Sequence, residues 1–391
     1  MLDALFSPWP SFTPEEIEAV SAVLASNRVN YWTGDRGREF ERRFADWVGT
    51  RHAVALMNGT VALDVALKAL GIGPGDEVIT TSRTFLASAS CIVTAGAVPV
   101  FADVDADSQN ITAETIAAVL TPRTKAIICV HLGGMPCDMD PIMALAAQHD
   151  LKVIEDCAQA HGARYRGRSV GSIGHVGAWS FCQDKIMTTG GEGGMVTTND
   201  PALWSFMWSF KDHGKSWEAV YERAHPPGPR LVHDSFGTNW RMIEMQAAIG
   251  LIQLERMSGW TGRRTAIAAA LTDVCRRHAV VRTAPTPNHS VHAWYRFYAF
   301  VRPERLAEGW TRDRIIEAVN AAGVPCFHGS ASEVYLERAF DGTGWRPAER
   351  LPTARRLGET ALAMLVHPTL TDAEVAKACQ VLDAVLTEAA A

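Results

Sequence analysis

Lys185 and Asp156, with the glycines that follow the lysine, are the residues of this sequence whose types and spacing point most directly to chemistry. The stretch from Val153 to Gly194 reads VIEDCAQAHGARYRGRSVGSIGHVGAWSFCQDKIMTTGGEGG. Its apolar opening, ending in Glu155-Asp156, predicts a short buried parallel strand, and ligands of open α/β sheets gather at the carboxyl ends of such strands. Asp156 sits at that end. A second strand is expected over Val176–Phe181, and Thr188–Gly194 is too glycine-rich for a helix or strand, so Lys185 falls in a loop between them. A carboxylate at one strand end can hold a proton on a ring nitrogen. A lysine at its neighbour can condense with an aldehyde.

That pairing suits pyridoxal phosphate, whose protonated ring is an electron sink. The stretch also resembles the DegT/StrS family of sugar aminotransferases, whose usual run is an EDxAQAHGA strand followed by an SFxxxKxxTTGEGG loop. The resemblance extends, more weakly, from about Phe12 to about Asp372. It implies an α/β chain of fold type I, with a mostly parallel seven-stranded sheet flanked by helices and a smaller α+β C-terminal domain. Residues 1–256 are expected to form the large domain and 257–391 the small one. Two departures stand out: Cys182-Gln183-Asp184 replaces the family's His-Pro-Thr before the lysine, and Gly190-Gly191 carries an extra glycine.

Site residues follow from the resemblance position by position. Lys185 is the Schiff-base lysine and the general acid/base, and Asp156 is the partner of the pyridine nitrogen. Gln159 matches a residue that reaches the ring oxygen and Ser180 a phosphate ligand; generic capping or packing is the alternative for both. Gly59 and Thr60, between a predicted strand (His52–Met57) and helix (Val61–Leu70), match the family's phosphate-binding turn, where free N–H groups and the helix dipole attract anions. Ordinary capping would read the same way. Phe85 matches an aromatic that stacks on the coenzyme ring, with a core position as the alternative. Asn239, in Gly237–Met242, matches an asparagine that reaches the coenzyme phosphate of the other subunit, which implies a homodimer with shared sites. His328 and Tyr335 lie where relatives carry substrate-side residues, or else serve the surface.

The elements that must position these groups alternate. Strands are expected at Glu77–Thr81, Ala97–Asp103 and Lys125–His131, with helices at Ala113–Leu120 and Asp140–His149, a pattern of βαβ units. Thr13-Pro14-Glu15-Glu16 predicts a helix start and nothing more. Tyr31–Gly37 reads as a polar turn, near the substrate entrance in the resembled family or else a plain loop. Lys211–Phe236, polar and proline-bearing, predicts a long loop that orders on substrate. Two helices are expected, Ile243–Arg256 and a second through about Arg277, then an aromatic strand His292–Val301, a helix Arg312–Ala322 and a last strand Met364–His367.

Bulk properties narrow the function. With 391 residues, 47% of them hydrophobic, and a net charge of −6, the chain is an ordinary globular one with no electrostatic footprint for nucleic acid. The N-terminal MLDALFSPWPSF lacks a signal-peptide pattern, no run of 18 apolar residues occurs, and eight cysteines without a CxxC pair read as buried thiols, so no membrane partner and a cytoplasmic location are expected. The resemblance implies an aminotransferase that moves an amino group, by ping-pong kinetics, from L-glutamate to a keto-sugar, nucleotide-linked, toward a surface polysaccharide or secondary metabolite. Two other readings are a sugar dehydratase, which carries histidine where this chain has Lys185, and a non-enzymatic regulatory homologue.

Overall fold

The computed structural model describes residues 6–390, so Met1–Leu5 of the N-terminal stretch and the terminal Ala391 lie outside the described residues. Helices α1 (Pro14–Ser26) and α2 (Arg36–Val48) precede the alternating unit. That unit runs β1 (His52–Leu56), α3 (Gly59–Ala69), β2 (Glu77–Thr81), α4 (Ala87–Thr94), β3 (Val98–Ala102), α5 (Ala113–Ala117), β4 (Thr124–Val130), α6 (Met139–Gln148) and β5 (Lys152–Asp156). A two-residue pair, β6 (Arg164–Tyr165) and β7 (Arg168–Ser169), leads into β8 (Val176–Ser180) and β9 (Gly194–Thr198). The large sheet has seven strands in the order β1-β9-β8-β5-β4-β2-β3. Only β9 is antiparallel to its neighbours, which matches the expected mostly parallel sheet.

After α7 (Pro201–Phe210) and α8 (Trp217–Tyr221) comes α9, a single helix of 33 residues over Glu244–Arg276. The two helices expected there are one. No proline interrupts it, and its ends pack against different partners, α1 and α2 on one side and α12 (Asp372–Glu388) and β10 (Val281–Thr283) on the other. The small sheet is antiparallel, in the order β10-β12-β14-β13, with β12 at Phe297–Val301, β13 at Cys326–His328 and β14 at Ala361–Met364. Helices α10 (Arg312–Ala321) and α11 (Pro352–Thr360) flank it, and a short β11 (Ser290–Val291) pairs with β6.

Four further expectations are corrected. The aromatic strand begins at Phe297, because Ala293 and Tyr295 donate their N–H groups to Gly134 and Gly133 (2.9 and 2.8 Å) and not to a strand. The last strand is shifted upstream to Ala361–Met364, where its backbone pairs with Phe297–Phe300. Lys211–Phe236 is not a featureless loop: Lys211 and Asp212 are buried, α8 forms, and Arg241 binds Asp212 Oδ1 at 2.6 Å. Glu16 is more than a helix start, since its buried carboxylate also accepts from Gln253 (2.7 Å) and Arg256 (3.0 Å) of α9.

The strand that delivers Asp156 is anchored by its neighbour Glu155. Successive side chains of a strand face opposite ways, and Glu155 faces the protein interior, fully buried. It accepts from His131 Nε2 (3.0 Å) and from the N–H groups of Gly171, Ile173 and Gly174 (2.9, 2.8 and 2.7 Å). Burial alone would raise its pKa; these donors outweigh it and hold the carboxyl below its ordinary value. His131 Nδ1 accepts from the Cys137 N–H at 3.0 Å, so the proton that faces Glu155 is on Nε2. This histidine, with Cys157 near by, is thus part of a saturated strut. Glu155→Ala is expected to lower the free energy of unfolding by about 3–5 kcal/mol in urea titrations, because it strands four donors, two of them buried (His131 and Gly171) and two part-buried.

Candidate active site

Asp156 ends β5 and opens toward a cavity of about 430 Å³ at the strand ends. Its Oδ2 accepts from the Ser88 hydroxyl (2.7 Å) and its Oδ1 from the Ala158 N–H (3.1 Å). Thr84 Oγ1 lies 2.8 Å from Ser88 Oγ, which continues the chain of hydroxyls into β2's loop. The carboxylate is therefore fixed in direction while keeping room to accept once more from the cavity.

Across the cavity, Asn58 caps α3 by accepting from Val61 N–H (3.0 Å). The Gly59 and Thr60 amides then stand in the first turn, where no carbonyl four residues back can bond them. Ser180, the last residue of β8, packs against Gly59 so closely that a Cβ there would lie 2.5 Å from the serine Cβ. Gly59 is required for that approach. Gln159 lines the same wall, and its Oε1 accepts from Gly133 N–H at 2.8 Å. Phe85 is 69% exposed and lines the cavity, which removes the core alternative for it.

Lys185 lines the cavity from a short bridge between β8 and β9, with its side chain 14% exposed. Its Nζ makes no hydrogen bond among the described residues; the nearest acid is Asp184, at 3.7 Å. Trp9 holds the lysine backbone by donating from Nε1 to the Lys185 carbonyl at 2.8 Å. Asp184 accepts from the Tyr295 hydroxyl. Burial would raise the Asp184 pKa, but the Lys185 charge, the tyrosine bond and Arg296 overcome it and keep the carboxyl low. Burial first, then Asp184, pushes the Tyr295 phenol well above its ordinary value, so its proton stays in place. Beneath the floor, His161 packs on Trp179 and Phe181 with neither ring nitrogen bonded among the described residues, and burial drives its pKa to about 3, so it is neutral filling.

A second chamber of about 330 Å³ continues outward past Thr84, Phe85, Gln159, Asp184 and Lys185 to Tyr295, Arg296, Tyr298 and the 327–331 segment. Tyr295 and Arg296 arrive there because Gly133 and Gly134 turn with φ of +63° and +96° and receive the 293–295 backbone. A Cβ on Gly134 would stand 2.8 Å from Trp294 N. His328 lines this chamber and bonds Asp313 at 3.2 Å. Tyr335 does not line either chamber. It is 1% exposed, packs on Phe101 and Phe340, and engages Glu333 and the Leu351 N–H, so its place is in the packing and not beside substrate. Asn239 is exposed, bridged to Asp212, and lines neither chamber of its own chain.

Sequence reasoning missed Ser88, Asp184, Tyr295 and Arg296. Asp184 was readable as the neighbour of the lysine, but only as a departure from a pattern. Tyr295 and Arg296 carry no local signal, since they come from a segment more than 100 residues downstream.

A mostly parallel doubly wound sheet, with a lysine and a buried aspartate lining one cavity at its strand ends, defines the fold type I class of aminotransferases. The chain belongs to the DegT/DnrJ/EryC1/StrS aminotransferase family, whose model it matches over residues 10–383. It is 40% identical, over 364 residues, to the GDP-perosamine synthase of Caulobacter vibrioides, covering 91% of this chain and 92% of that one. It superposes on the X-ray structure of an aminotransferase from Psychrobacter cryohalolentis with a TM-score of 0.97 at 61% identity, covering 98% and 99% of the two chains. A protein of Streptococcus pneumoniae described as a putative sugar aminotransferase, solved in PLP and PMP forms, is 26% identical and superposes with TM-scores of 0.85 and 0.87, each over 98% of this chain and 99% of that one. The protein is an aminotransferase.

Gly134→Ala is expected to cost about 2 kcal/mol or more in urea unfolding, from its left-handed backbone and the collision with Trp294 N. Gly342→Ala, also at positive φ but with nothing within 4 Å, serves as the control and should cost only the backbone part.

Proposed function

We propose that the protein is a pyridoxal-phosphate aminotransferase that moves an amino group from L-glutamate to a nucleotide-linked keto-sugar, to make an amino sugar for a surface polysaccharide or secondary metabolite. The observation that carries this reading is the meeting of Lys185, Asp156 and the α3 amides in one cavity. The sugar class is supported by the name of the Caulobacter relative and of the Streptococcus one. Pyridoxal phosphate fits the residues present: an acidic partner for its ring nitrogen, a cup of free N–H groups beside Ser180 for its phosphate, and an unbonded lysine amine.

When bound, the coenzyme supplies an electron sink for the pair left on the nitrogen-bearing carbon. Asp156 holds the ring-nitrogen proton by a charge-assisted bond, and Ser88 and Ala158 keep its carboxylate from turning away. Gly59, Thr60 and Ser180 bind the phosphate, Phe85 covers one ring face, and Gln159 contacts the ring edge. Lys185 Nζ is the general acid/base: it takes the proton from the donor carbon in the first half-reaction and returns one to the acceptor carbon in the second. Asp184, held by Tyr295, keeps a negative charge beside that amine in its charged form. Asn239 of a second copy completes the phosphate site, in a homodimer that works in the cytoplasm; among the described residues no helix is long and apolar enough to cross a membrane.

Absorption spectra test this reading. Purified protein with coenzyme should show a visible band that L-glutamate alone, without acceptor, converts to the amine form, and a keto-sugar should then restore. A band that ignores L-glutamate and other amino donors would count against aminotransfer. Lys185→Ala should lose at least ~10³-fold in turnover, the scale of general acid/base catalysis, with unchanged circular dichroism.

A further inference from the structure

Two arginines approach the outer chamber, and their donors are used differently. Arg83 is buried and spent: Nε and Nη2 donate to Gln109 Oε1 (3.1 and 3.0 Å), and Nη1 donates to Ser330 O (3.2 Å) and Ser332 Oγ (2.9 Å). Its work is to hold the 330–332 wall of the chamber. Arg296 lines the same chamber beside Lys185, with its side chain 28% exposed. It donates no hydrogen bond to any described residue. The nearest carboxylate oxygen, Asp184 Oδ2, stands 4.0 Å from its Nη2, beyond bonding length, and already accepts from the Tyr295 hydroxyl.

An arginine carries five N–H donors in a rigid fork that matches the paired oxygens of a carboxylate or phosphate. Partly withdrawn from water and without an acceptor, such a fork is poised for one. The chamber's charge agrees. Among the residues that line it, Lys185, Arg296 and His328 are basic and Asp184 is the single acid. Behind it, buried Arg264 adds a further positive charge, its Nη1 bonded to Trp294 O at 3.2 Å. The root of Arg296 is fixed, because the preceding Tyr295 N–H bonds Gly133 O and its hydroxyl bonds Asp184.

We propose that Arg296 is the oxyanion-binding residue of the outer chamber, and that it orients substrate at Lys185 by gripping either the carboxylate of the amino donor or a phosphate of the nucleotide-linked acceptor. This rests on the aminotransfer reading above. The two sources share one chemistry and are separated by the test.

The coenzyme-loaded protein is titrated calorimetrically with glutarate and, separately, with inorganic pyrophosphate, in wild type, Arg296→Gln and Arg296→Lys. Wild type should bind at least one probe, and Arg296→Gln should weaken that probe by about 10- to 100-fold, the worth of a charge-assisted bond. Arg296→Lys, which keeps the charge and loses the fork, should fall between. Loss confined to glutarate assigns the donor carboxylate, and loss confined to pyrophosphate assigns the acceptor phosphate. The same substitution should raise KM for that substrate by a similar factor, with kcat changed far less. An Arg296→Gln protein that keeps its coenzyme band and binds both probes as wild type does overturns the proposal, as does a loaded wild type that binds neither. A wild type that takes up no coenzyme overturns the aminotransfer reading itself.

Discussion

Two adjacent carboxylates at the end of one buried strand set the terms for the rest of the structure. Glu155 and Asp156 point to opposite faces of β5 because strand side chains alternate. Glu155 is saturated by His131 and three backbone N–H groups, so it works as a rivet between β4, β5 and the turn before β8. Asp156 receives only Ser88 and Ala158 and keeps acceptor capacity for a ligand. A buried charge is tolerable only when it is bonded. The first carboxylate meets that condition inside the protein, and the second is left to meet part of it through what enters the cavity.

From that strand end a chain of contacts runs to the lysine. Gln159 accepts from Gly133, Gly133 accepts from Tyr295, and the Tyr295 hydroxyl binds Asp184, the neighbour of Lys185. Each link crosses between elements that are distant in sequence. The large sheet supplies Asp156, Ser180 and Lys185, while the segment before β12 supplies Tyr295 and Arg296, so both sheets contribute to one site. The lysine amine is held near a charge without being consumed by it, at 3.7 Å from Asp184. A closer ion pair would tie up the group that has to move a proton.

Asp184, beside the lysine, acquires a meaning in this setting. Its carboxylate anchors Tyr295 and stands 4.0 Å from Arg296, beyond bonding length. The buried Lys211, over the Tyr31 ring at 3.6 Å with Glu41 at 3.9 Å, plays a separate part in fixing the polar segment beyond α7. Burial lowers its pKa, and its interactions are with the N-terminal turn and α2 rather than with the cavity.

The sequence by itself determined the large sheet, the strand-end position of Asp156, the loop position of Lys185 and the helix-start amides at Gly59 and Thr60, because hydrophobic runs, caps and glycine clusters are local signals. It also carried the family, through the motif around Lys185. It misread the continuity of α9 and the boundaries of β12 and β14, where packing partners and not local composition decide the ends of an element. Tyr335 looked like a substrate-side residue from its place in the order and is packed on Phe101 and Phe340 instead. Only the tertiary structure brought Asp184, Tyr295 and Arg296 together, since their meeting depends on the left-handed Gly133-Gly134 turn receiving a backbone from far along the chain. Whether a side chain's donors are spent, as for Arg83, or free, as for Arg296, is a property of the neighbours that folding supplies, and no spacing of residues along the chain encodes it.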